Sequence, residues 1–239
     1  MAYYNELGKK VSIDKRKMQY LNCGKCAGVF HDKNTIFKEY FPNTPYRNRL
    51  SLDMFKLLKS IHNKHFIELY SILSDMGLSD LLLYKFRRIP FSTTAYTAKY
   101  YSDNAENPLY ESIDYTLDNF YELEKLFTTF TENKITVNDV KRENSILGKN
   151  NIVIVDPDCF SIAHYDSSLL AIDNKIELLM LLRSIYIAGA KGHPNYKKIK
   201  KKVNAELVAI AVDENTNITS EIAKKLKYVK RPIDYFLKK

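Results

Sequence analysis

The chain has 239 residues, 45% of them apolar and 27% charged, with only seven glycines and seven prolines; this ordinary globular composition excludes collagen-like, elastic and linker-dominated chains. Thirty-seven basic side chains against 28 acidic ones leave a net charge of +9, which suits a polyanionic partner without choosing among nucleotide, phosphorylated substrate, nucleic acid and anionic surface. The longest apolar run, Ile176 to Ala190, is broken by Glu177 and Arg183, so no membrane span is expected. The first residues hold no apolar signal-type core, and three cysteines are too few for a disulfide framework. The expected setting is a reducing compartment, by default the cytoplasm.

Basic residues cluster at Lys9 to Lys17 and Lys197 to Lys202, the pattern of solvated faces rather than of one aromatic-interleaved stripe. In chain order, Met18 to Leu21, Gly28 to His31 and Thr35 to Tyr40 read as short strands, the last two joined by Asp32-Lys-Asn34 in a hairpin. Leu52, Phe55, Leu58 and Ile61 recur near the helical period and predict an amphipathic helix. Phe66 to Leu73 and Thr93 to Tyr101 are further strand candidates. Ser102-Asp-Asn-Ala-Glu-Asn-Pro108 is a polar break that predicts a boundary between residues 1–101 and 102–239.

Beyond the break the pattern turns helical. Ile113, Leu117, Phe120, Leu123, Phe127 and Phe130 line one face of a long helix ending near Asn133. Two apolar strands, Ser145 to Leu147 and Ile152 to Val155, flank the turn-forming Gly148-Lys-Asn-Asn151. A largely apolar helix is expected over Ile172 to Ile187, and two more over Tyr196 to Val212 and Ser220 to Tyr228. The layout is α+β, a β-rich part followed by a mainly helical one, and not alternating βαβ.

The chemistry concentrates between Ile135 and Asp158. A long helix delivers the chain to a loop with Asp139, Lys141 and Asn144, and a hairpin returns Asp156 beside them. Two acids, an amide and an ammonium are suited to a divalent cation and a transferring phosphoryl group, because Mg²⁺ takes a few hard oxygen ligands alongside substrate phosphates. Cys23-Gly-Lys-Cys26 invites a zinc or redox reading, but only Cys159 and scattered histidines remain as further ligands, and no βαβ context surrounds it. A Walker-type phosphate loop is absent from the sequence.

Val137-Asn-Asp139-Val-Lys141-Arg-Glu143-Asn144, followed twelve positions later by Asp156-Pro-Asp158, resembles the catalytic loop His-Arg-Asp-Leu-Lys-Pro-Glu-Asn and the Asp-Phe-Gly turn of the protein kinase superfamily. Upstream, Gly24-Lys-Cys-Ala-Gly28-Val29 and then Lys38 look like a reduced phosphate-covering hairpin with the lysine of the next strand. The resemblance spans about Leu21 to Ile187. It implies a two-lobed kinase-like fold with a short activation segment, and an ATP-dependent phosphotransferase, nearest to the Ser/Thr protein kinases because Lys141 follows the acid by two positions. Asp139 would orient or deprotonate an acceptor hydroxyl and Lys141 would neutralise the transferring phosphoryl group. Asn144 and Asp156 would hold Mg²⁺ or Mn²⁺, while Gly24, Gly28, Val29 and Lys38 would hold the ATP phosphates. Adenine would lie against the backbone near Tyr100 and Tyr101. Asp173 would open its helix and brace the catalytic loop, and Asp53 is the candidate helical partner of Lys38.

The sequence also departs from the family pattern. Val137 and Asn138 replace histidine and arginine, so no phosphate-reading switch on the activation loop is expected. Only seventeen positions separate Asp156 from Asp173, which leaves little of a peptide-docking platform. The alternatives are a small-molecule kinase, a kinase-like ATPase and a catalytically silent scaffold of the same fold.

Overall fold

The computed structural model describes residues 2–103, 109–148, 151–164, 166–190, 192–202 and 205. The protein is α+β, with a mostly antiparallel sheet and several helices. It divides into two compact units, Met1–Ser102 with Pro157–Cys159, and Asp103–Asp156 with Phe160–Lys239.

The first unit is built on a seven-stranded antiparallel sheet. Its strands are β1 (Ala2–Asn5), β2 (Lys10–Ser12), β3 (Gln19–Cys23), β4 (Ala27–His31), β5 (Thr35–Tyr40), β6 (Leu69–Ser74) and β7 (Ala95–Lys99). They lie in the order β2-β1-β6-β7-β5-β4-β3. The β4–β5 turn is closed by its own side chain: Asp32 Oδ1 accepts from the Asn34 and Thr35 amides at 2.8 and 2.7 Å, the local bonding that makes Asp a turn residue. The β1–β2 hairpin adds two strands beyond those expected. There Asn5 Oδ1 accepts from the Leu7 and Lys9 amides, and Gly8 takes a positive φ of 71°, which glycine adopts at no steric cost. Tyr3 then buries its ring edge-on against Phe37 at 5.5 Å.

Two helices interrupt the strands of this unit. Helix α1 (Leu52–Lys59) starts where Ser51 Oγ accepts from the Met54 amide at 3.2 Å, a side-chain N-cap. Its buried face is Met54, Phe55 and Leu58, and Ile61 of the predicted stripe falls beyond the helix end. Helix α2 (Leu78–Lys85) is a further addition; it buries only Leu81 and leaves Leu78 and Leu82 exposed, so its sequence shows no one-sided pattern.

In the second unit, α3 (Leu109–Glu132) and α4 (Ser167–Ala190) pack together. Leu123, Phe127 and Phe130 of the predicted face are buried, and the Phe130 ring meets both Phe127 and Phe160 edge-on. Among the described residues of this unit there are also two short antiparallel pairings: β9 (Ser145–Leu147) with β10 (Ile152–Ile154), as the turn chemistry predicts, and β8 (Ile135–Thr136) with β11 (Ser161–Ile162). Helix α4 begins at Ser167, five residues ahead of the expected Ile172, because Asp166 caps it by accepting from the Ser168 amide at 2.7 Å. Asp173 therefore does not open the helix; it lies buried in the second turn. Residues 196–202 are helical; most of the chain beyond residue 202, including the helix expected over Ser220 to Tyr228, lies outside the described residues. Among the described residues no helix is long and apolar enough to cross a membrane.

Candidate functional site

Within the second unit, β8 ends at Thr136 and the chain turns sharply at Asp139, whose φ is +56°. Left-handed backbone costs most residues about 1 kcal/mol or more, and Asp and Asn are among the least penalised. The turn aims three predicted side chains at one another. Lys141 Nζ donates to Asp139 Oδ1 at 2.8 Å, and Asn144 Nδ2 donates to the Asp139 carbonyl at 2.7 Å and to its Oδ2 at 3.2 Å. The pair is about half exposed, 45% for Lys141 and 48% for Asp139, so it is accessible to a substrate. With its amide nitrogen committed to Asp139, Asn144 keeps its amide oxygen as the acceptor a cation would take. The Val155 amide donates to the Asn144 carbonyl at 3.0 Å, which continues the β9–β10 ladder and sets Asp156 one residue further along the chain beside that loop.

The loop is braced from below. Asn174 of α4, 1% exposed, accepts from the Val137 amide and donates to the Ile135 carbonyl and Thr131 Oγ1, each at 2.9 Å. Ser184 Oγ, further along the same helix, accepts from the Arg142 amide at 2.7 Å. The Arg142 guanidinium reaches the Ser145 carbonyl at 2.9 Å and Asp103 at 2.7 Å. Bonds to charged groups are the stronger kind, and here they fix the main chain that carries Asp139 and Asn144.

Within the first unit, the β3–β4 hairpin carries Gly24, Gly28 and Val29. Neither glycine has a positive φ; a Cβ on Gly24 would meet nothing within 4 Å, and one on Gly28 would make an ordinary 3.6 Å contact with Phe30. Gly24 closes the β3–β4 turn through its amide on the Ala27 carbonyl at 3.0 Å, but neither position needs glycine for its φ or for a close approach. Val29 stands opposite Lys38 in the β4–β5 register, and Lys38 stands opposite Tyr96 on β7. The Lys38 side chain, 10% exposed, pairs with Asp158 Oδ2 at 2.9 Å, the Asp158 side chain being 9% exposed. Asp158 Oδ1 accepts from the Tyr40 hydroxyl at 2.7 Å, and that hydroxyl accepts from the Leu50 amide at 3.0 Å. Asp53, by contrast, is exposed in the first turn of α1. The acid found against Lys38 is thus Asp158 and not the expected helical one.

Tyr100 and Tyr101 follow β7. The Tyr100 amide is already committed to the Asn34 carbonyl at 2.8 Å, and its ring stacks on His31 at 4.3 Å. Cys23 and Cys26 are unbridged at the hairpin tip. Tyr40, Asp158 and Asn174 carry no motif that sequence reasoning could have used; the nearest signal is the second acid of Asp156-Pro-Asp158, one strand period after the first. The sequence matches no protein-family model and no curated protein.

Burial and, next, the Asp158 carboxylate hold the Tyr40 hydroxyl protonated well above the ordinary phenol value of 10.0; burial and Glu39 act on Tyr3 in the same direction. In the unfolded chain these phenols ionise near 10.0, so above that pH the unfolded state sheds protons the folded state keeps. Their contribution is whole below about pH 10 and is lost as pH rises toward the folded values. Thermal unfolding followed from about pH 8 to about pH 11 is expected to show a steeper alkaline fall in the wild type than in Tyr40→Phe. Equal slopes would contradict the assignment.

Proposed function

We propose that this protein is an ATP- and Mg²⁺-dependent phosphotransferase of the protein kinase type, moving the γ-phosphoryl group of ATP to a hydroxyl acceptor. The observation that carries the reading is the Asp139–Lys141–Asn144 cluster, with Asp156 brought alongside Asn144 by the β9–β10 ladder. The order of elements supports it as well: a glycine-bearing hairpin, then a strand with a buried lysine, then a helix, then a loop of acid, lysine and asparagine ahead of an aspartate turn, which is the order of parts in protein kinases.

Asp139 orients the acceptor hydroxyl and takes its proton as the oxygen bonds to phosphorus; ADP leaves with the bridging oxygen. Lys141, already on Asp139, places a positive charge where the transferring group passes. Lys38 holds the ATP phosphates together with the tip of the β3–β4 hairpin, since the Gly24 amide closes that turn on the Ala27 carbonyl and Gly28 and Val29 are paired on both sides within the sheet. The Asn144 amide oxygen and the Asp156 carboxylate are hard donors that fit Mg²⁺, which is commonly held by one or two protein oxygens and by substrate phosphates. When bound, the ion neutralises charge developing on those phosphates. Catalysis of this kind asks the protein for positioning and electrostatics more than for covalent chemistry.

Lys141 points to a Ser/Thr side chain as acceptor. A small-molecule hydroxyl is the second reading, favoured by the eleven positions that carry the chain from Asp156 to the start of α4 at Ser167. Mg·ATP is expected to raise the melting temperature of the wild type, and Asp156→Ala is expected to remove the part of that rise that depends on Mg²⁺. An unchanged metal-dependent rise in Asp156→Ala would remove the metal assignment.

A further inference from the structure

We infer that Asp158, anchored by the Tyr40 hydroxyl, is the positioning residue that fixes Lys38 for the nucleotide phosphates, and that it acts through this lysine and not as a metal ligand. The inference rests on the phosphotransferase reading above. Three observations lead to it. First, α1 carries a single acid, Asp53, which is exposed, and the acid that meets the lysine is Asp158. Second, Lys38 and Tyr40 are two residues apart on β5 and so share one face of the strand. Both reach Asp158, one to each carboxylate oxygen, at 2.9 and 2.7 Å. Because the Tyr40 hydroxyl accepts from the Leu50 amide, its single proton is directed at Asp158. Third, the pair is buried to about nine-tenths. A buried ion pair is weak evidence for stability, since apolar residues of similar size often serve as well or better. What the pair supplies instead is an ammonium held at one place.

The test measures two quantities on the full chain: the affinity for Mg·ATP, and the Mg²⁺ concentration that half-saturates ATP binding. Wild type, Asp158→Asn, Tyr40→Phe and Asp156→Asn are compared. Asp158→Asn is expected to weaken nucleotide binding by roughly ten- to hundred-fold, and Tyr40→Phe by a smaller factor, with the Mg²⁺ midpoint unmoved in both. Asp156→Asn is expected to move the Mg²⁺ midpoint upward. The double variant Lys38→Met with Asp158→Leu leaves the buried Tyr40 hydroxyl without its acceptor, so it is expected to melt only modestly below the wild type, about as Tyr40→Phe does, while losing far more nucleotide affinity than Tyr40→Phe, which separates positioning from folding. A Mg²⁺ midpoint shifted in Asp158→Asn as in Asp156→Asn, an affinity within about two-fold of wild type, or a double variant melting far below it would each overturn the inference and leave the phosphotransferase reading standing. Absence of any ATP binding by the wild type, with or without metal, would overturn both.

Discussion

Asp139→Asn is expected to lower phosphoryl transfer by about 10²- to 10⁴-fold while leaving ATP affinity and the fold close to wild type. The substitution is chosen for the backbone as much as for the chemistry. At a φ of +56°, alanine would add conformational strain, whereas asparagine tolerates the left-handed region about as well as aspartate does. An amide at this position can still receive a hydrogen bond from Lys141 or Asn144, so the geometry of the loop survives. What it cannot do is take a proton from an acceptor hydroxyl. Steady-state turnover of Mg·ATP, beside nucleotide affinity and a far-UV spectrum, separates these effects. Transfer at the wild-type rate in Asp139→Asn would remove Asp139 from the reaction.

The largest stability effect is expected from Asn174→Ala. The truncation deletes three hydrogen bonds, each of 2.9 Å, and strands the Val137 amide and the Ile135 carbonyl in a dry environment. A buried backbone group left unpaired costs about 1–3 kcal/mol. Two such groups make about 3–5 kcal/mol the expected loss, a large share of the roughly 5–15 kcal/mol that holds a domain folded. Asn174→Asp keeps an acceptor for the Val137 amide but buries a carboxylate with one oxygen against the Ile135 carbonyl, so its cost should be at least that of alanine. Urea unfolding of the three proteins checks the order, and a loss below about 1 kcal/mol in Asn174→Ala would show that the brace is dispensable.

These two residues illustrate what could be read from the chain and what could not. Asp139, Lys141 and Asn144 lie within six positions, and the apolar strands after them fix a hairpin, so their convergence follows from local structure. The β4–β5 hairpin was legible for the same reason: Asp32 bonds to the turn it makes. Helix α1 was legible through Phe55 and Leu58, although its buried face includes Met54, which a three-residue spacing misses. Helix α2 was not legible, since leucines on every side hide the one, Leu81, that packs inward. The β1–β2 hairpin turns on the Asn5 side chain and a single glycine rather than on a familiar turn pair. The start of α4 lies ahead of its apolar pattern because a capping carboxylate, Asp166, precedes that pattern.

The long-range partners were the least accessible. Lys38 and Asp158 are 120 positions apart, and no periodicity relates them. Asp53 lies on the nearest helix to the lysine in sequence, but its exposure belongs to the folded chain alone. Asn174 stands next to the acid that the resemblance singles out, Asp173, and both are buried in α4; the hydrogen bonds to Val137 and Ile135 belong to the amide.

The most direct test of the central claim is transfer of the γ-phosphoryl group from labelled ATP by the full chain in the presence of Mg²⁺. Label is expected on a hydroxyl acceptor, protein or small molecule, with ADP formed in equal amount, and both products are expected to be lost in Asp139→Asn and Asp156→Asn. An intact wild-type protein that neither binds nor turns over Mg·ATP would contradict the claim.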